Sequence, residues 1–227
     1  MASHLTSKIA FSYQPLPSAF SQPNRCRRVP SSFIRMSSST TIEHVVLFKI
    51  KPQTTPSKLS AMLNGLNSLK SLNQVLHLTA GPIYNTTTDF THILHSRYSS
   101  KSDLSTYASH PDHISVVRES VIPICDDLMA VDWISNSPSL QPIIPPSKYA
   151  MRITFLKLKN GLPESDKSEA VKAAKKTFGK VEQSSIGENF SPERAKGFSM
   201  AADLREVAAA ADLRTSARLR RRWLGLG

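Results

Sequence analysis

The chain has 227 residues, of which 40% are hydrophobic and 20% are charged. This composition is typical of a globular chain with one large domain or two small ones. Eight Gly and fifteen Pro exclude a collagen repeat, and two Cys exclude both a disulfide scaffold and a multi-cysteine zinc site. No apolar run approaches the ~18 residues of a membrane-spanning helix.

The formal net charge of +12 is carried mainly by the two ends of the chain. Residues 1–42 hold five bases and no acid, and residues 201–227 hold six Arg against three acids. Residues 43–134 hold seven bases against eight acids. A nucleic-acid-binding domain needs a basic excess that neutralises phosphates, so we expect no specific nucleic-acid partner.

The first 42 residues differ from the rest of the chain. They are rich in Ser, contain Arg, lack acidic residues and include four Pro. This pattern favours a transit peptide for the chloroplast, and a disordered arm is the alternative. Either interpretation places these residues outside the fold.

The elements of the next segment follow from its periodicities. Alternation over residues 44–51 predicts a strand. A helix is predicted next, because apolar residues recur at helical spacing: Leu59, Met62, Leu63, Leu66, Leu69 and Leu72. Two strands are then predicted at residues 75–80 and 91–98.

A second helical region and a last strand complete this unit. Ser100 and Asp103 form a capping pattern that opens a helix, and Pro111 restarts the helix up to Val121. Residues 128–133 are predicted to form the last strand. The order β-α-β-β-α-β is the ferredoxin-like arrangement, so the predicted fold class is α+β.

A second copy of the unit is predicted after a Pro-rich linker at residues 136–149. Residues 153–159 match the pattern of residues 45–51 at an offset of 108. Strands at 151–159, 183–187 and 196–202 and a helix at 164–181 are predicted within residues 150–202. The second helix and the final strand have no counterpart, so this copy is incomplete and we expect it to be marginal unless the first copy covers it. Residues 203–227 form an Ala- and Arg-rich tail that does not continue the domain.

The segment Tyr107-Ala-Ser-His-Pro-Asp-His113 is the densest group of polar ring side chains. A neutral imidazole can accept a proton near pH 7 and a phenol can stabilise an oxyanion, so Tyr107 and His113 are a candidate acid–base pair. The alternative is a set of side chains that only cap and order the turn. His92 and His95 lie three residues apart on a strand, so they face opposite sides and cannot share an ion. The acidic side chains at the start and within the last strand are interpreted as turn and strand-end charges: Asp126, Asp127 and Asp132.

The ordered motifs of residues 43–135 resemble the stress-responsive A/B barrel domain family. They are His44-Val-Val-Leu-Phe-Lys, Gly81, Thr91-His-Ile-Leu-His-Ser-Arg-Tyr, the Tyr107–His113 segment and Val131-Asp-Trp. The resemblance implies a dimeric α+β barrel in which two four-stranded sheets pack face to face, either between chains as a homodimer or between two copies in one chain. The whole chain resembles a two-domain plant subtype with an incomplete second domain. Arg152 stands where the first copy has His44.

The resemblance also implies candidate roles. Plant members are associated with stress response without an assigned reaction, and this is the favoured function. The alternative is a cofactor-independent enzyme that resembles a polyketide cyclase, closes a polyketide by intramolecular aldol condensation and binds a small apolar ligand; its catalytic residues fall on Tyr107, His113 and His44. No cofactor is required, but Mg²⁺ can bind some members through backbone carbonyls that fall on Leu69, Leu72 and Val75. Two-domain relatives imply a peroxisomal location as an alternative to the chloroplast, and the cytosol is a further alternative.

Overall fold

The computed structural model describes residues 3–6, 40–84, 88–135, 149–159, 161–178 and 183–207. They contain eight strands: β1 Ser3–Thr6, β2 Thr41–Ile50, β3 His77–Pro82, β4 His92–Tyr98, β5 Cys125–Ser135, β6 Tyr149–Lys157, β7 Gln183–Glu188 and β8 Met200–Val207. The α-helices among them are α1 Pro56–Ser68, α2 Lys101–Ser109, α3 Pro111–Val116 and α4 Glu164–Phe178. None of the helices in these ranges is long and apolar enough to cross a membrane.

The first unit, residues 41–135, folds as β-α-β-β-α-β and confirms the predicted α+β class. Its antiparallel sheet has the order β3-β4-β2-β5. α1 is capped by Thr55, whose side chain accepts from the Lys58 amide, and it is followed by a 3₁₀ turn at Leu69–Ser71. α3 continues as a π-helical segment, Val117–Val121, and a 3₁₀ turn, Ile122–Ile124, so the part of the second helical region that restarts at Pro111 consists of three linked pieces.

Alternation along β2 sends its side chains to two different cores. One face packs with the helices in a core that includes Ile42, Phe48, Met62 and Leu66. The opposite face places Val45 and Leu47 in a second core. A strand whose two faces are both covered explains why nearly every residue of β2 is buried or half-buried.

The second unit, residues 149–207, contributes the strands β6, β8 and β7 and the helix α4. β8 lies between β6 and β7, as β4 lies between β2 and β3 in the first unit. The strand predicted at 196–202 was placed too early. Lys196 and Gly197 have positive φ values of 50° and 84°, so they form a turn, and β8 begins only at Met200. β8 also continues to Val207, five residues into the segment predicted to lie outside the domain; residues 208–227 lie outside the described part.

The edge of the second sheet corrects another sequence prediction. The final strand of this unit was predicted to be missing, and residues 1–42 were predicted to lie outside the fold. Ser3–Thr6 instead pairs antiparallel with β6, at the position that β5 occupies beside β2 in the first sheet. The physical reason is that the open edge of β6 presents unpaired backbone donors and acceptors, which an extended segment satisfies. Residues 1–2 and 7–39 of the predicted arm lie outside the described residues, as does the linker from 136 to 148, whereas Thr41 and Ile42 belong to β2.

The two sheets pack face to face through one shared core. This core takes Val45, Leu47, Ile93, Met129, Val131 and Trp133 from the first unit and Met151, Ile153, Phe155, Ala195 and Ala201 from the second. The Trp133 indole N–H donates to the Ser185 hydroxyl at 2.8 Å, so its buried polar atom is satisfied by the opposite sheet. Trp133 also forms a single antiparallel bridge with Asn189. The incomplete second unit is therefore covered by the first.

Candidate functional site

A break between two helices brings Tyr107 and His113 together. Ser100 caps α2 by accepting from the Asp103 amide at 3.0 Å, which confirms the predicted start of the helix. α2 ends at His110, whose ψ of 135° is extended, and Pro111 opens α3 at its first turn. Across this break the rings of Tyr107 and His113 lie 4.6 Å apart, centroid to centroid. The pair predicted from the sequence is therefore in contact.

The tautomer of His113 follows from its hydrogen bond. His113 Nδ1 lies 3.0 Å from the carbonyl oxygen of Ala108, and a carbonyl can only accept, so Nδ1 carries the proton. In the neutral ring, Nε2 then holds a lone pair. Burial lowers the pKa of His113, and the nearby charges of His44, Arg194 and His110 act in the same direction, while the hydrogen bond to Ala108 opposes them. His113 is thus kept as a neutral base at pH 7.

Tyr107 is held as a neutral phenol. It is 1% exposed, and its burial raises its pKa to about 12, although a hydrogen bond with Tyr98 acts in the opposite direction. The two tyrosine rings lie 5.2 Å apart, and the Tyr98 hydroxyl shares a 2.9 Å hydrogen bond with Ser96. A buried phenol that keeps its proton can donate to an oxygen on which negative charge develops.

His44 lies on the same side of the first sheet as Tyr98 and contacts the residue opposite it on β5. β2 and β5 pair in a register that sets His44 opposite Asp132. His44 Nδ1 donates to Asp132 Oδ1, and the His44 ring lies edge-on to Tyr98 at 6.3 Å. An ionised carboxylate only accepts, so the Nδ1 atom of His44 carries the hydrogen of this bond. The structure therefore gathers all three predicted catalytic residues, Tyr107, His113 and His44, on one side of the sheet.

Asp132 corrects a prediction made from the sequence. It was interpreted as a strand-end charge, but it is fully buried and its second oxygen, Oδ2, accepts from Arg194 Nη2 at 2.9 Å. Burial acts to raise the pKa of Asp132, yet the hydrogen bond and the charge of His44, then a hydrogen bond with Ser191 and last the charge of Arg194, hold this pKa below its ordinary value. The available sequence signal was a carboxylate within the otherwise apolar run of residues 128–134; nothing comparable marks Arg194.

A second polar cluster lies between the two sheets. Glu43 Oε2 accepts from His95 Nε2 at 2.6 Å, and Glu43 Oε1 lies 2.7 Å from Arg97 Nη2. Asp203 Oδ2 from the second unit lies 3.8 Å from the same guanidinium nitrogen. Burial acts to raise the pKa of Glu43, but His95 and Arg97 outweigh it and lower this pKa. His95 thus faces the opposite sheet, whereas the His92 ring forms a hydrogen bond with the hydroxyl of the preceding residue, Thr91.

Metal binding by this cluster is geometrically conceivable but electrostatically unfavourable. Glu43, His95 and Asp203 each offer one ligand atom, and these atoms lie within 4.8 Å of one another. The permanently charged guanidinium of Arg97 already stands among the carboxylates and supplies the positive charge that an ion would supply. We therefore interpret the cluster as a buried ion-pair network that joins the sheets.

The segment after α1 offers backbone oxygens. The carbonyl of Leu69 accepts from the Leu72 amide at 3.2 Å, and the carbonyl of Leu72 accepts from the Val75 amide at 2.9 Å. Each carbonyl oxygen has two lone pairs, so one remains for a hard cation such as Mg²⁺. The side chain of Leu69 is buried in the helix-side core, as expected.

Comparison with known proteins agrees with this architecture. Residues 42–135 match the family model described as Stress responsive A/B Barrel Domain. One stress-response A/B barrel domain-containing protein of Arabidopsis thaliana is 49% identical over 180 residues, which make up 75% of this chain and 68% of the relative. A second Arabidopsis thaliana protein of the same description is 46% identical over 184 residues, or 77% of this chain and 87% of the relative. The chain belongs to the stress-response A/B barrel domain family.

Solved structures include similar single units. A Dabb family protein with a ferredoxin-like fold from Mesorhizobium loti is 20% identical, with a TM-score of 0.38, over 41% of this chain and 94% of that one. A hydroxynitrile lyase from Passiflora edulis is 17% identical, with a TM-score of 0.38, over 41% of this chain and 92% of that one.

Proposed function

We propose that the chain acts in plant stress response as an intramolecular A/B barrel, in which two sheets of one chain pack as the sheets of two chains do in a dimeric barrel. The observation that carries this proposal is the shared core, to which both units contribute buried apolar side chains. Family membership supports the association with stress response. Because the second sheet already covers the first, a partner chain is not needed to bury that face.

The mass of the full chain in solution tests this proposal. We expect analytical ultracentrifugation to give the mass of one chain, 25.1 kDa. A mass of two chains that persists on dilution would contradict intramolecular pairing. Ile153→Asp places a charge in the shared core and is expected to unfold the second unit, whereas Ile122→Asp, at a residue 56% exposed, is the matched control and should leave both mass and fold unchanged.

A second candidate function is cofactor-independent acid–base catalysis, such as the intramolecular aldol closure of a polyketide. The contact between neutral His113 and protonated Tyr107 favours it. His113 Nε2 would remove a proton from the carbon next to a carbonyl, and the Tyr107 hydroxyl would donate to the enolate or alkoxide oxygen. His44, oriented by Asp132, supplies a second imidazole on the same side of the sheet.

Turnover of short polyketone thioesters tests the catalytic candidate. If the reaction occurs, we expect His113→Ala and Tyr107→Phe each to lower kcat by about 10²–10⁴-fold, as for loss of a general base or acid. Tyr84→Phe, at a tyrosine 59% exposed, is the matched control and should keep the full rate. The catalytic candidate would be contradicted if the wild-type chain turned over none of the thioesters, or if all variants reacted at equal rates.

We also propose that Mg²⁺ binds weakly and dispensably at the carbonyl oxygens of Leu69, Leu72 and Val75. These are hard oxygen donors, but residues 69–76 include no carboxylate, which Mg²⁺ sites usually contain. We expect MgCl₂ to shift the NMR signals of residues 69–76 saturably, with no change of the melting temperature after chelation. Shifts confined to other parts of the chain would contradict this site.

A further inference from the structure

The segment between β7 and β8 of the second unit is fixed to Asp132 of the first unit at three points. The Asp132 amide donates to Asn189 Oδ1 at 3.1 Å, and the Phe190 amide donates to the Asp132 carbonyl at 2.9 Å. Arg194 Nη2 donates to the Asp132 carboxylate at 2.9 Å. Both the backbone and the side chain of one residue are thus held by the other unit.

Neighbouring contacts keep the same segment in place. The Phe190 ring packs against the helix-side core of the first unit, and Lys101 Nζ lies 4.1 Å from its centroid, at the start of α2. Gly197 then turns the chain back towards β8. Arg194 therefore reaches Asp132 from a segment whose position is set independently of the Arg194 side chain.

The two carboxylate oxygens of Asp132 have different partners. Oδ1 accepts from His44, and Oδ2 accepts from Arg194. Since Asp132 is fully buried, its charge is tolerated only with such partners. A carboxylate fixed at one oxygen by a guanidinium cannot rotate away from the imidazole at the other, so Arg194 restrains the His44 ring through Asp132.

We infer that Arg194 is a positioning residue through which the second unit completes the candidate acid–base site of the first. This inference rests on the proposed catalytic function of Tyr107, His113 and His44. The second unit lacks the Tyr–His segment of its own and has Arg152 at the position of His44. Its role at the site is to hold the carboxylate that fixes the orientation of the His44 ring.

The titratable and charged groups around Asp132 determine how its titration should respond to replacement of Arg194. His44 faces it from β2, Arg194 and Ser191 from the segment before β8, and Tyr98 from β4; His113 lies near enough to feel both His44 and Arg194. Arg194 is the permanent cation of this set. Its side chain is 56% exposed, so replacing it leaves the shared core intact.

Three variants of the full chain test the inference: Arg194→Gln removes the charge, Arg194→Lys keeps it, and Arg118→Gln removes an exposed arginine elsewhere. The readouts are NMR titration of the Asp132 carboxyl carbon and the hydrogen exchange of the His44 Nδ1 proton. In Arg194→Gln we expect the Asp132 midpoint to rise by about one pH unit, because an adjacent opposite charge is lost. We expect the His44 proton to exchange about tenfold faster, because its charged acceptor is less well held. Arg194→Lys should restore the Asp132 midpoint and the His44 exchange most of the way to the wild-type values, and Arg118→Gln should change neither.

Two outcomes would overturn the inference. One is an Arg194→Gln variant with unchanged Asp132 titration and His44 exchange. The other is an Arg194→Gln variant in which the Asp132 titration and the His44 exchange both change, but only together with a lower melting temperature that Arg194→Lys does not restore. That result would mean that Arg194 only holds the two units together. Because neither readout uses turnover, a failure here is distinguishable from a failure to find a reaction.

Discussion

Gly187 in β7 lies directly against the indole of Trp133 in β5. A Cβ atom at position 187 would stand 2.8 Å from Trp133 Cδ1 and 2.7 Å from the carbonyl oxygen of Ile134. Both distances are too short for real Cβ contacts, so position 187 has no room for a side chain. The missing side chain at Gly187 is therefore what allows the Trp133–Ser185 hydrogen bond and the bridge to Asn189 to form beside it.

Gly187→Ala is expected to destabilise the packing of the two units. The new Cβ meets a backbone oxygen that cannot move without shifting β5, so we expect a loss of about 1–3 kcal/mol in the free energy of unfolding, as for overpacking. Urea unfolding followed by tryptophan fluorescence measures it. Gly65→Ala is the control. Gly65 lies within α1, where Ala is favoured over Gly, and its new Cβ would lie 3.2 Å from the side chain of Val116. A loss as large in Gly65→Ala would show that Gly187 has no special role.

The local elements could be predicted because each follows from neighbouring residues. The alternation of β2, the Ser100 cap and the Pro111 restart all act within a few positions of the chain. A predicted boundary differs from the observed one where a local turn was missed: Lys196 and Gly197 have positive φ values, so β8 begins after them.

The contacts that complete the site could not be predicted in this way. His44 and Asp132 are 88 residues apart, and they meet only through the register of β2 and β5. Arg194 is 62 residues from Asp132 and meets it only through the packing of the two units. The residue types of the Tyr107–His113 segment pointed to Tyr107 and His113, and the family resemblance added His44, whereas Asp132 and Arg194 required the three-dimensional arrangement.

The ion-pair network between the sheets predicts a loss of stability in acid. The pKa of Glu43 in the folded chain lies below its ordinary value of 4.5, because His95 and Arg97 outweigh the effect of burial. A carboxyl with a lowered folded-state pKa contributes stability above its unfolded pKa and loses it as pH falls towards the folded value. We therefore expect the melting temperature to fall below about pH 4.5 through this group.

Glu43→Gln tests this origin of the acid sensitivity. The variant should be less stable at pH 7, because buried charges lose a partner, at a cost of about 3–5 kcal/mol. It should also show a smaller loss between pH 7 and pH 3 than the wild type. Glu119→Gln, at a side chain 60% exposed, is the control and should keep the wild-type dependence. Parallel pH curves for wild type and Glu43→Gln would assign the acid sensitivity to other carboxyls.

His113 is expected to titrate below the ordinary histidine pKa of 6.5, chiefly because it is partly buried. The neutral form is therefore present above that lowered pKa and is lost as pH falls through it. Since Tyr107 keeps its proton up to about pH 12, any reaction that uses the pair should rise on the acid side and stay level through neutral pH. Histidine NMR titration, with His113→Gln for assignment, measures the midpoint. A His113 midpoint above 6.5 would contradict a buried neutral base.

The N-terminal segment is expected to direct a fluorescent protein to the chloroplast. The physical basis is its Arg- and Ser-rich, acid-free composition over residues 1–42. A fusion of these residues should accumulate in plastids, and replacement of Arg25, Arg27 and Arg28 by Glu should abolish this while leaving the length unchanged. Peroxisomal or cytosolic fluorescence of the full chain fused at either end would favour the alternatives.

Removal of residues 1–6 is expected to expose one edge of β6 without unfolding the first unit. Ser3–Thr6 pairs with residues 154–157 of β6, and without it those backbone groups face solvent. We expect hydrogen exchange of amides in residues 154–157 to accelerate, while β2, which is paired on both sides by β4 and β5, serves as the internal control and keeps its protection. Unchanged exchange in residues 154–157 would show that β1 contributes nothing to that edge. Faster exchange in both strands would instead show that the stability of the first sheet depends on the completed second one.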